Sequence, residues 1–315
     1  MRVFISSIQN ELIKLLIGKR TWITLIIILG ISIITAVGLF KENRDNQDWK
    51  ADVESKLQST EMELKNMEEM PYKYKKILND EIELYRYYLE KNISPYEANV
   101  WKLINKSSGV MMILTIIIII ASSDSLAREF SKGTIKILLI RPINRWEILL
   151  SKFTALTLYS WMLIISWFIL TLIIGSALFG GLGDFNIPHI NSADGEIVMN
   201  STGKLLLLKI IFQSIQILVF AAISFTISTL LRNNSIATAI SLFLFLGSSI
   251  FYNLFQGKEW AKYILFSHLN LNEFINSKVN SVGFTLTESL LMISIYLVTI
   301  LSVTVVIFSK KDIKV

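Results

Sequence analysis

Six times along the chain polar residues give way to an apolar run: 22–40, 107–123, 153–180, 205–231, 235–255 and 289–308. A helix needs roughly 20 apolar residues to cross the ~30 Å hydrocarbon core of a bilayer. Backbone groups in lipid must bond within their own segment, so runs of this length are helices. The pattern predicts an all-α polytopic membrane protein with six transmembrane helices. Ahead of the first run, Phe4, Ile5, Ile8, Leu12, Leu15 and Leu16 share one helical face, while Arg2, Lys14, Lys19 and Arg20 supply positive charge. Residues 1–21 therefore read as an amphipathic helix lying in the membrane interface.

The stretches between the runs carry patterns of their own. In 41–106, Trp49, Val53, Leu57, Thr60, Leu64 and Met67 step at helical spacing, and after Pro71 so do Tyr74, Leu78, Ile82, Tyr85 and Leu89. Two amphipathic helices around a proline break predict an extracellular helical hairpin whose Met and aromatic stripes form its seam. Ser94-Pro95-Tyr96-Glu97 has the form of a capping box, which predicts a helix running from there unbroken into the second span. Segment 181–204 reads as an outer loop. Segment 256–288, with Trp260, Tyr263, Ile264 and Phe266, is half apolar and reads as an interfacial or re-entrant element.

Charge orients the spans. Six spans put both termini on one side. If that side is cytosolic, the inner segments are 1–21, 124–152, 232–234 and the 309–315 tail. Of the chain's 31 Lys/Arg and 25 Asp/Glu, these segments hold 14 and 5, leaving 17 and 20 outside. The positive-inside rule then gives an N-in, C-in topology. The net charge of +6 is a membrane-orientation signal, and no nucleic-acid partner is expected. The first run lacks a small-residue cleavage pattern, so it reads as a span and not a removed leader.

The residues offer little chemistry of their own. No Gly-rich loop ending in Lys-Ser/Thr occurs, and neither a His-Glu-x-x-His nor a Gly-x-Ser-x-Gly pattern is present. Cysteine is absent, and the two histidines, His189 and His268, are far apart, so neither a catalytic centre nor a metal site is expected. Within the spans, Lys209 lies near an outer end, and Gln213 and Gln216 share a face suited to bonding helices together. Asp124 and Glu288 fall at span edges, so the mid-membrane carboxylate that a coupled transporter uses is missing. If the chain moves a solute, another subunit supplies the energy.

The cytosolic segment 124–152 exceeds what topology requires. Gly133-Thr134 breaks the second span's helix, a short apolar piece follows from Ile135 to Ile140, and Arg141-Pro142 interrupts again. Asn144 is a fair N-cap for the next helix, with Glu147 three positions on. The stretch "REFSKGTIKILLIRPINRWEILLSK" resembles the loop between spans 2 and 3 of the ABC-2 type permeases, the membrane subunits of ATP-binding-cassette exporters. The matching positions are Glu129, Gly133, Thr134, Ile137, Leu138, Pro142, Arg145 and Lys152.

The resemblance extends to the interfacial helix, the six spans, the large first outer loop and the membrane-dipping piece before the last span. It departs in the length of the outer hairpin. It implies that 124–152 forms a coupling helix docking on a separately encoded ATPase, with Glu129 and Arg145 making charged contacts. ATP and magnesium would sit on that partner, with no cofactor in this chain. A second permease copy or a related permease would complete the dimer, embedded in membrane lipid. The implied substrates are antimicrobial peptides, drugs, lipids or ions. A non-transporting sensor using the outer hairpin to bind a ligand is the alternative. Usage rich in Ile, Lys and Asn points to a low-GC bacterium and its cell membrane.

Overall fold

The computed structural model describes residues 2–45, 48–66, 72–131, 144–183, 185, 188–193, 196–255, 258–275, 279–280 and 282–310. In chain order the helices are α1 (Arg2–Ile17), α2 (Lys19–Asp45), α3 (Trp49–Asn66), α4 (Tyr72–Lys91), α5 (Val100–Ser107), α6 (Val110–Ser131), α7 (Arg145–Phe179), α8 (Thr202–Leu231), α9 (Asn234–Phe255) and α10 (Leu286–Lys310). Six of them, α2, α6, α7, α8, α9 and α10, are long and apolar enough to cross a membrane. Several outrun the hydrocarbon thickness, α7 by the most, because their polar ends continue the same helical turn pattern.

Contacts divide the chain into two compact units. One comprises Met1–Ile28, Gly109–Trp167 and Lys209–Val315. Its core gathers Ile119 of α6, Phe212, Val219 and Phe220 of α8, Phe245 of α9 and Ile293 of α10. Phe220 and Phe245 meet edge to face with centroids 5.0 Å apart. Lipid tails are as apolar as leucine, so side-chain polarity between helices has to supply part of the cohesion. Ser224 donates to the Ile119 carbonyl at 2.8 Å, Ser228 to the Ser123 carbonyl at 2.5 Å, and Thr226 meets Thr304 at 2.7 Å.

Three 3-10 helices follow α9 in this unit, at Glu259–Tyr263, Leu265–His268 and Leu271–Ile275. They bury Leu265, Leu269 and Leu271 in the same core. Segment 256–288 thus holds, among its described residues, three short 3-10 helices before α10. Thr285 and Glu288 then cap α10 reciprocally: the Thr285 N–H donates to Glu288 Oε2 at 2.8 Å, and the Glu288 N–H to Thr285 Oγ1 at 3.4 Å.

The other unit comprises Leu29–Ser108 and Phe168–Leu208. Ala36 and Leu39 of α2 pack with Leu103 of α5, beside Ile174 and Phe179 of α7. Ser32 and Thr171 bond across at 2.9 Å. Helices α3 and α4 bury Val53, Leu78 and Ile82. Arg86 of α4 donates to Glu61 of α3 at 2.7 Å, and Tyr74 of α4 to Glu63 at 2.8 Å.

Two local expectations are corrected here. The helix expected from Ser94 into the second span does not form. Lys102 Nζ binds the carbonyls of Pro95 and Glu97, which holds that stretch out of a helix. Asn99 is the true cap, its Oδ1 accepting from the Lys102 N–H at 2.8 Å, and α5 stops at Ser107 before α6 begins at Val110. Segment 181–204, expected as a loop, contains an antiparallel pair, β1 (Pro188–Ala193) with β2 (Glu196–Ser201), in a register placing His189 opposite Asn200.

Candidate functional site

The described ends of the inner segment are the last turn of α6 and the first turns of α7. Asn144 precedes α7, and its N–H donates to Glu147 Oε2 at 3.1 Å, so the helix start anticipated there is capped through the carboxylate. Of the eight candidate coupling residues, Glu129, Arg145 and Lys152 are described. Gly133, Thr134, Ile137, Leu138 and Pro142 lie outside the described residues.

Lys152 is only 2% exposed. An ammonium buried this deeply needs anionic partners, and it has two. Its Nζ donates to Glu129 Oε1 of α6 at 2.7 Å and to Glu11 Oε2 of α1 at 2.9 Å. Glu11 also accepts from Lys14 at 2.7 Å, one turn on in α1. Burial opposes ionisation of Glu11, but the Lys152 and Lys14 ammoniums outweigh it and hold the carboxyl below its ordinary range. Arg145, at the opposite end of the first α7 turns, donates to the Ser309 carbonyl near the end of α10 at 3.3 Å. Lys152 of α7 thus ties Glu129 of α6 and Glu11 of α1 together.

A second polar cluster lies one to two turns deeper along α6. Asp124 is 7% exposed and accepts from Arg20 of α2, from Arg128 one turn on at 2.7 Å, and from Asn234 at the start of α9. Beside it, Thr21 bonds Tyr159 of α7 at 2.8 Å and donates to the Leu15 carbonyl at 2.6 Å, fixing the bend between α1 and α2. The two clusters border one cleft of about 380 Å³, walled by α1, the Gly18–Arg20 bend, α6 and α7. The sequence places Asp124 at a span edge, without partners. The Asp124–Arg128 spacing of four residues was visible; the contacts to Arg20, Asn234 and Lys152 come only with the fold.

A larger, shallower hollow of about 830 Å³ lies along α3 and α4, lined by residues of both charges including Glu61, Lys65, Asp80 and Arg86. Among the described residues no three His, Asp or Glu side chains gather to hold a metal ion.

Comparison with known proteins adds the kinship. The family model described as "Protein of unknown function (DUF2705)" matches residues 73–314. The chain is 30% identical over 316 residues to "Uncharacterized protein YhcI" of Bacillus subtilis (strain 168), covering 98% of this chain and 99% of that protein. It is 24% identical over 207 residues to "Uncharacterized membrane protein YdbK" of the same strain, covering 65% of this chain and 79% of that protein. With six helices fit to span a bilayer and the match covering most of its length, the chain is a multi-pass membrane protein that belongs to the DUF2705 family.

Proposed function

We propose that the chain is the permease subunit of an ATP-binding-cassette exporter, driven by a separate ATPase that docks on the segment between α6 and α7. In this reading both termini are cytosolic, α3 and α4 form an extracellular hairpin, and the protein works in the cell membrane as a dimer with a second permease. The substrate is an antimicrobial peptide, drug, lipid or ion. The sequence resemblance of residues 128–152 to the permease coupling loop supports it.

The observation that carries it further is the buried Lys152 tie. A lever is useful only if its base does not yield. Lys152 holds the α6 and α7 flanks of the segment to each other and to α1 through bonds of 2.7 and 2.9 Å. A push on the segment from below is thereby delivered to three helices together.

The test is purification from detergent, asking whether a P-loop ATPase comes with the chain. Wild-type chain retains that ATPase and stimulates its hydrolysis. Ile137→Glu, which puts a charge on the apolar piece, abolishes both while the chain still inserts. Equal retention by wild type and variant, or recovery of the wild-type chain without any ATPase, overturns the reading.

A further inference from the structure

The cleft between α1, the Gly18–Arg20 bend, α6 and α7 has an unequal charge balance. Five cationic side chains line it against three carboxylates. Lys152 takes up two of the carboxylates, Glu11 and Glu129. The third, Asp124, serves two guanidiniums at once, since Arg20 and Arg128 both donate to its Oδ2 while Asn234 occupies Oδ1. One carboxylate thus answers two arginines, and Lys19 adds a further cation at the rim. Guanidinium forks match the paired oxygens of a phosphate, which is the anion this donor set suits.

Position selects the source of that phosphate. Arg20 is the last charged residue before the apolar run of α2, and the next residues outward, Trp22 and Ile23, are 65% and 58% exposed. Trp at such a place marks the headgroup level of a bilayer. The cleft walls also carry Leu15, Ala121 and Leu156, carbon surface suited to a glycerol backbone. Basic pockets between spanning helices recognise anionic headgroups by this combination.

We propose that this cleft binds the headgroup phosphate of an anionic phospholipid of the phosphatidylglycerol class, drawn from the leaflet in which α1 lies. The lipid supplies the missing negative charge to Arg20, Arg128 and Lys19, and its acyl chains run along the exposed face of α2. The assignment needs only that the chain spans a membrane, and it stands whether or not an ATPase docks below.

The experiment is native mass spectrometry of the full chain in detergent, titrated with phosphatidylglycerol or phosphatidylcholine. Wild type takes up phosphatidylglycerol in preference to phosphatidylcholine. Arg128 is 57% exposed, so Arg128→Gln leaves the fold intact and lowers phosphatidylglycerol affinity about tenfold, the loss of one charged hydrogen bond. Lys19→Gln at the rim lowers it too, and Lys258→Gln, far along the chain, leaves it unchanged. Equal affinity in wild type and both cleft variants overturns the proposal, as does equal binding of phosphatidylcholine. Displacement of the lipid by an equal concentration of soluble glycerol 1-phosphate overturns the lipid assignment in favour of a free-phosphate site.

Discussion

At the scale of single residues, two charged side chains, Asp124 and Lys152, are buried among the described residues. Lys152 is enclosed and answered by two carboxylates. Breaking a buried ion pair from one side costs about 3–5 kcal/mol, because the remaining charges stay desolvated. Lys152→Met should therefore lower the detergent melting temperature sharply. The triple variant Glu11→Gln, Glu129→Gln, Lys152→Met should recover most of the loss, since no orphan charge remains. A triple variant as unstable as Lys152→Met would show that packing and not charge dominates there.

His268 makes a second residue-scale case. It is 1% exposed, with Nε2 3.0 Å from the Lys262 carbonyl and Nδ1 3.2 Å from the Ser289 hydroxyl. That pairing assigns the neutral ring, with Nε2–H donating and Nδ1 accepting. Burial pushes its pKa below the ordinary 6.5, against weaker opposition from the Lys262 carbonyl and Glu288. A base with a depressed folded pKa contributes stability that is whole above pH 6.5 and falls away as pH drops below it, where only the unfolded chain readily takes the proton. Melting at pH 5.5 should fall below melting at pH 7.5, and His268→Gln should flatten the difference.

At the scale of elements, the short α5 seats against α7 through one missing side chain. A Cβ on Gly175 would stand 3.1 Å from Leu103 Cδ2 and 3.2 Å from both Val100 methyls. Gly175→Leu overfills that seat and should cost about 1–3 kcal/mol in a thermal melt. Gly175→Ala needs only a few tenths of an ångström of movement and gains roughly 1 kcal/mol of helix propensity, so it should be close to neutral.

The elements also show what the sequence makes legible. The apolar runs and the α1 face are written in local periodicity, and the structure has helices at each. Helix α5 lies within the helix expected from Ser94, but its start is displaced because the Ser94–Glu97 signature is satisfied differently: Ser94 Oγ accepts from the Tyr96 N–H at 3.2 Å in a local turn, and Asn99 takes the capping role. The β1–β2 pair lies in a polar stretch without a clear apolar alternation, so periodicity does not mark its strands. The Lys152 tie was out of reach, since it joins positions 141 and 23 residues apart, which no periodicity encodes.

At the scale of the whole molecule, the prediction concerns sidedness. The chain contains no cysteine, so single cysteines report without background. Ser131→Cys, at the end of α6, and Lys258→Cys, just beyond α9, are both at exposed positions. Three spans, α7, α8 and α9, separate them, so they should react with a membrane-impermeant maleimide from opposite faces of sealed vesicles. Labelling of both from one face would break the six-span topology.

The Lys152 tie also has a bearing on biogenesis. Ribosomes deliver Glu11 first, Glu129 next and Lys152 last. Until Lys152 is made, Glu11 has only the Lys14 ammonium beside it and no bridge to Glu129. Arg20 meets Asp124 once α6 is made, but the bond that also brings in α7 waits for that one lysine, so the three-helix tie is the last of these contacts to close.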